Sequence, residues 1–141
     1  MLAVVRVRSS IKTEKDVDDT LDMLRLNRIN HCVLVPENET YLGMLHKARN
    51  WITWGNIDPV TLEKLVSKRG RLEGDKRVDG KEAKDISRQI IKNQSLRELK
   101  IKPVFRLSPP SKGYRSVKSQ YPGGSLGPRG EKINELIKRM I

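Results

Sequence analysis

The sequence predicts an α+β protein in three parts. Residues 1–57 read as a β-α-β-α-β core, 58–99 as a helical elaboration, and 100–141 as an edge strand, a basic arm and a docking helix. Three observations carry that prediction. Short β-branched runs (LAVVRVR, HCVLV, WITW) alternate with stretches of helical period, and such alternation makes helices layered on a sheet. Asp58-Pro59 opens a helix that Gly70 closes, with an N-cap, a proline at the first position and a terminating glycine. Residues 100–130 hold seven basic residues, no acidic ones, five prolines and five glycines, which is the composition of a charged loop and not of a core element.

Taken in order, residues 2–8 form a strand with Val5 and Val7 on the face opposite Val4, Arg6 and Arg8. Ser9-Ser10 ends it. Thr13 is the expected N-cap of the first helix, with Glu14 and Asp16 favourable to its dipole. Val17, Leu21 and Leu24 make its apolar face, and Leu26 closes it. His31–Val35 is the second strand. A strand, a helix and a strand at this spacing suggest a right-handed βαβ unit. Thr40 is the expected cap of the second helix, with Tyr41, Leu45 and Ala48 on one face, and Gly43 inside it leaves room for another backbone. Residues 51–54 make the third strand, ended by Gly55.

After Asp58, the residues Leu62, Leu65 and Val66 face inward. A polar loop leads to a helix over 81–93, with Ala83, Ile86 and Ile90 aligned and Ile91 beside them. One more turn is expected over 95–99. These helices read as an insertion or a satellite subdomain. Pro103 makes 101–107 an edge strand. The loop 108–130 is longer than an ordinary connection, so it is either functional or without structure. The last helix places Ile133, Leu136, Ile137 and Met140 at i, i+3, i+4 and i+7, a stripe that needs an apolar surface to dock on.

The 141-residue chain is 36% hydrophobic, with a formal net charge of +12 and a pI near 10.1. That surplus selects a polyanion as partner, nucleic acid or an anionic surface. It is uneven, since residues 97–141 carry 11 basic and 3 acidic side chains. The single cysteine, Cys32, excludes an intrachain disulfide and reads as a buried thiol, not a nucleophile. No stretch approaches the ~20 apolar residues of a membrane span. The N-terminus lacks the pattern of a signal peptide. The expectation is a cytoplasmic protein with no membrane partner and no small-molecule substrate.

Enzyme classes find no footing. His31 and His46 sit on separate elements, and no HxxxH, HExxH or metal-spaced cluster of Cys, His and carboxylates occurs. No metal or other cofactor is expected. There is no GxSxG nucleophile motif. The run GGSLGPRG is followed by Glu131, not by the Lys-Ser/Thr of a phosphate loop. It contains GXXG spacing, but the chain ends one helix later, whereas a KH loop joins two helices inside its core. Its exposed amides keep the capacity to bind an anion. Trp51 and Trp54, three apart on a strand, face opposite sides. Core placement is the reading for both, with base stacking the alternative for one.

A Gly/Pro-broken basic loop with sparse aromatics, tied between a strand and a docking helix, has the chemistry of a nucleic-acid-binding arm. Lys112, Arg115, Lys118 and Arg129 are its phosphate-neutralising candidates, and Tyr114 and Tyr121 its stacking candidates. From the core come Arg6, Arg8, His31, His46, Lys47 and Arg49, which on charge alone could equally mark a solvated face. The arm is expected to be mobile when free and to order on its ligand. Two other readings fit the same residues. One is a free-standing RNA-binding regulator or chaperone. The other is a protein-interaction module that uses the final helix.

Four stretches in register, MLAVVRVRSS, LRLNRINHCVLVPENETYLGMLHKARNWITWG, VFRLSPPSKGY and GGSLGPRGEKINELIKRMI, resemble the large-subunit ribosomal protein of the "thirty" family. The resemblance is to the archaeal type, whose eukaryotic counterpart is the large-subunit protein "seven". It implies a core similar to part of a ferredoxin-like fold, and no enzymatic activity. It implies a structural constituent of the large ribosomal subunit that binds and stabilises folded ribosomal RNA, near the 5S RNA and against neighbouring ribosomal proteins. It also implies that Asp58 onward is an archaeal and eukaryotic elaboration.

Overall fold

The computed structural model describes residues 1–9, 14–72, 74, 76–92, 101–114, 116–121 and 123–141. Its centre is β1 (Leu2–Arg6), flanked by β2 (His31–Val35) and β3 (Ile52–Asn56). β4 (Val104–Arg106) and β5 (Gly127–Pro128) form the edges, in the order β4-β2-β1-β3-β5. α1 (Lys15–Met23) and α2 (Glu39–Lys47) cover one face, burying Val17, Leu21, Leu45 and Ala48 with Val4, Ile52 and Trp54. α3 (Pro59–Arg69), α4 (Gly80–Ile91) and α5 (Ile133–Met140) cover the other, burying Leu62, Leu65, Ala83, Ile90 and Leu136 with Val5, Cys32 and Phe105. Every residue of β1 is therefore buried. A strand covered on both faces can be continuously apolar, which is why LAVVR begins without alternation.

The expected βαβ unit is not formed by the first two strands. β1 and β2 are antiparallel neighbours, with Val5 opposite Cys32. The chain leaves β1 and re-enters β2 at the same end, where the Asn30 amide donates to the Arg6 carbonyl at 2.8 Å. α1, nine residues and about 14 Å long, lies within this connection, and Leu26 just after it accepts from the Arg6 guanidinium. The parallel relation instead joins β2 and β3, both antiparallel to the β1 that lies between them, with α2 as the crossover. This split arrangement keeps the predicted β-α-β-α-β order and is compatible with a ferredoxin-like core.

Local boundaries differ in instructive ways. Thr13 and residues 95–99 lie outside the described residues, and α1 opens after Glu14 without a side-chain cap. Asn38, not Thr40, caps α2, its Oδ1 accepting from the Tyr41 amide at 2.9 Å, because the third residue after a cap is the one its side chain reaches. Asp58 caps α3 as expected, accepting from the Thr61 amide at 2.6 Å. Gly43 meets nothing. The close approach falls at Gly55, which does not end β3 but lies inside it. A Cβ there would stand 2.0 Å from the Gly130 carbonyl oxygen.

The helices of 59–91 are no satellite, since they share one core with β1, β2 and β4. The stripe on α5 also finds its partner within the chain: Ile133, Leu136, Ile137 and Met140 are all buried in that core. This removes the apolar surface on which a protein-interaction module would depend. The predicted edge strand is β4, paired antiparallel with β2.

The arm departs most from expectation. Its second half folds back on the sheet. β5 pairs with β3 in parallel, and Thr53 Oγ1 donates to the Gly127 carbonyl at 2.8 Å. Leu126 and Ser125 are buried. The Ser125 and Leu126 amides reach the carbonyls of Ser116 and Ser119. Tethers of this kind, and not free chain, hold the described part of the loop.

Arg6, predicted as a surface residue, is 1% exposed. It shares the Val4 face, and helices cover that face. Its guanidinium donates to the carbonyls of Leu26 and Arg8. It also sits in the field of Asp18 and Asp22 on α1, which favour its charge against the burial that lowers its pKa. Arg6→Ala is expected to destabilise the fold by about 3 kcal/mol, because two carbonyls lose their donor. Urea unfolding measures this, and an unchanged midpoint would remove the structural role assigned to Arg6.

Candidate nucleic-acid interface

The strand register collects basic residues at one end of the sheet. There Arg6 lies opposite Ile52, His31 opposite Arg106, and Thr53 opposite Gly127. α2 delivers His46 and Lys47 to the same end, since its C-terminus runs through the turn at 48–51 into β3. The opposite end of the sheet, where Leu2 meets Val35 and Asn56, leads to Glu37, Glu39 and Asp58, with Lys132 and Lys138 beside Asp58.

Around His46 the aromatic and cationic groups interlock. Trp54 is buried and His46 meets it edge-on, with ring centres 6.1 Å apart. Trp51 is half-buried in the turn before β3 and packs on the same core as Trp54, so the two do not face opposite sides. The Arg8 guanidinium carbon lies 5.8 Å from the centre of the Trp51 ring, a cation–π arrangement. Lys47 and Arg49 are exposed. The loop reaches this patch through Gln120, whose amide donates to the Arg49 carbonyl at 3.3 Å and to Asn50 Oδ1 at 3.2 Å. Lys118, two residues earlier, is exposed.

The rest of the loop builds a cleft of about 370 Å³ with α5. Lys112, Tyr114, Tyr121 and Arg129, four of the candidates named from sequence, line it together with Lys132 and Arg139. Tyr114 Oη donates to Asn30 Oδ1 at 2.6 Å, which ties the loop to the turn before β2. Arg139 Nη1 donates to the carbonyls of Ser111 and Gly113, each at 3.2 Å. The Arg129 guanidinium lies 5.0 Å over the Tyr121 ring and donates through Nη2 to the Ser125 carbonyl at 3.0 Å. Its Nε is buried and has no partner. Among the described residues, Glu135 is the one acidic side chain on the lining, and it pairs with Lys132 at 3.3 Å.

Two pKa shifts shape this surface. Burial, reinforced by Arg106, Arg28 and Arg6, pushes the His31 imidazole below its usual value, so at neutral pH it offers an uncharged ring. Burial pushes Tyr114 up to about 12 and does the same to the Cys32 thiol, which leaves that thiol without nucleophilic character. Both groups ionise in the unfolded chain at lower pH than in the folded one. The unfolded state then binds fewer protons, and stability must fall as pH rises from about 9 towards 12. Urea midpoints across that window should decline, and Tyr114→Phe should flatten the upper part of the decline. A midpoint that holds to pH 12 would contradict the burial of these groups.

Sequence reasoning missed Lys132 and Arg139. They stand seven positions apart, Lys132 in the turn before α5 and Arg139 in its last turn, flanking the apolar stripe, and their spacing was the available signal. It also missed Arg106 and Arg28 beside His31, and only strand pairing brings these together. Arg115 lies outside the described residues. Among the described residues no group of three His, Cys, Asp or Glu is placed to hold a metal ion, and no helix is long and apolar enough to cross a membrane.

The family model for ribosomal protein L30p/L7e matches residues 2–52. The large ribosomal subunit protein uL30 of Methanosphaera stadtmanae is 44% identical, with the full length of both chains aligned. That of Methanobrevibacter smithii is 45% identical over the same extent. The Nanoarchaeum equitans protein is 42% identical over all of this chain and 99% of its own. The family is structural and non-enzymatic. With identity at this level running from end to end, the chain belongs to the L30p/L7e family of ribosomal proteins.

Proposed function

We propose that this protein is a structural constituent of the large ribosomal subunit in the cytoplasm, and that it holds folded ribosomal RNA against its basic rim and cleft. The observation that carries the reading is the convergence of Lys112, Tyr114, Tyr121 and Arg129 with Lys132 and Arg139 in one cleft. The contacts proposed are Arg8, His31, His46, Lys47, Arg49, Lys112, Tyr114, Arg115, Lys118, Tyr121 and Arg129, with Lys132 and Arg139 added. Arg6 supports the rim from within. Lys and Arg neutralise phosphate and release counterions, so binding weakens with salt by a log–log slope of about −0.7 to −0.9 per contact. Neutral His31 and the tyrosines meet unstacked bases, in the way structured RNA is read at its loops. Proximity to the 5S RNA and contact with neighbouring ribosomal proteins form part of the proposal.

The test is sedimentation. A constituent stays with large subunits through a moderate-salt wash, and cross-linking of the washed particles followed by probing for 5S RNA addresses the neighbourhood. A chain recovered at the top of the gradient after that wash would instead mark a free-standing regulator or chaperone.

A further inference from the structure

We infer that the cleft between the loop and α5 is a socket for a single unpaired nucleotide extruded from RNA. The inference rests on the RNA-binding reading above and narrows it. The cleft measures about 370 Å³, near the lower end of the ~300–1,000 Å³ of ordinary small-ligand sites. That is room for one nucleotide and too little for a duplex. Duplex RNA offers its phosphates and a shallow groove, whereas an unpaired base offers two π-faces and its pairing edge.

The lining matches that chemistry group by group. Arg129 lies 5.0 Å over the Tyr121 ring, and together they make a planar, cationic platform of the kind on which bases stack. Nη2 is held by the Ser125 carbonyl at 3.0 Å, which fixes the guanidinium plane before any ligand arrives. Among the described residues, the buried Nε has no hydrogen-bond partner. Lys112 and Lys132 are exposed on the same lining and can meet the flanking phosphates. Among the described residues, Glu135 offers the one acceptor carboxylate there, which suits a base edge bearing an exocyclic amine and disfavours a free polyphosphate.

The experiment uses the full chain and short RNA hairpins of one sequence, fully paired or carrying a single bulged A, C, G or U. Affinities are measured by fluorescence anisotropy. The intact protein should bind at least one bulged hairpin about tenfold more tightly than the paired one. Tyr121→Leu should erase that preference. Tyr121→Phe should keep the preference, and Arg129→Lys, which retains the charge without the plane, should reduce it. Thermal unfolding of each variant confirms that the fold is intact. Equal affinity for bulged and paired hairpins, with salt-dependent binding preserved, overturns the socket alone. Loss of salt-dependent binding to every hairpin overturns the RNA-binding reading beneath it. Competition by free AMP or UMP without any preference between hairpins reassigns the socket to a free nucleotide and also overturns the inference.

Discussion

Gly55→Ala is expected to destabilise the protein by about 3 kcal/mol, which lowers the melting temperature by roughly 10 °C at this chain length. The reason is a backbone contact that cannot relax. An added Cβ would lie 2.0 Å from the Gly130 oxygen and 3.0 Å from both the Gly130 carbonyl carbon and the Ile133 Cβ. No flexible side-chain end can swing aside. Either β3 shifts, which strains its pairing with β1, or the turn at Gly130–Lys132 lifts and α5 loses part of its seat. The second outcome also opens the cleft, because Arg129, Lys132, Leu136 and Arg139 line it from that helix and the turn before it. Thermal unfolding reads the first effect, and bulged-hairpin affinity reads the second. A melting temperature within a degree or two of the parent would show that the strand and helix can separate slightly without loss, and would remove Gly55 as the fulcrum of the site.

The triple substitution Lys112→Gln, Lys118→Gln, Lys132→Gln should weaken RNA binding by about 10²-fold near 0.1 M salt and make the log–log salt slope shallower by about 2 to 3. Each ammonium is exposed, so its removal leaves the core untouched. Lys132 and Glu135 form an exposed pair at 3.3 Å, and losing such a pair changes stability by less than about 1 kcal/mol. The measurement therefore separates contact from support. A variant with parental stability and a shallower slope identifies these side chains as phosphate partners. An unchanged slope would move the RNA to another face. Arg6→Ala should behave in the opposite sense, with stability reduced and the slope retained, because its guanidinium faces carbonyls and not solvent.

The two variants also mark what could be read without a structure. Lys112 and Lys118 were visible as candidates because an acid-free run broken by proline and glycine cannot be a core element. Their chemistry is local, and local chemistry survives in a list of residues. Gly55 was visible only as a residue between a strand and a turn. Its role depends on Gly130, 75 positions away, and nothing within a few residues of either hints at the contact. Gly43 shows the converse: a glycine in a helix invites the same interpretation, yet open space surrounds it.

Periodicity also has a definite reach. It found the faces of α1 to α5 because side chains three and four apart share a side whatever the fold. The order of the strands follows from the same pattern. Their directions do not, since a strand, a helix and a strand can close as a parallel crossover or as a round trip. Arg6 marks the same boundary. In a strand, alternate residues share a face, so Arg6 belongs with Val4, but only the arrival of α1 and α2 decides that this face is interior.

The sequence alone was enough for the α+β class, the order of the predicted elements, the cap at Asp58, the basic character of the last third and, through resemblance, the family. These depend on spacing and composition along a few turns of chain. Tertiary contacts alone settled that β1 runs antiparallel to both neighbours, that Gly127–Pro128 pairs with β3, and that Lys132 and Arg139 join the loop tyrosines in one cleft. Each of those depends on groups brought together across more than ten residues of chain. Such contacts are selected by burial of the whole core and by which backbone atoms can touch, and those quantities do not exist until the chain has closed on itself.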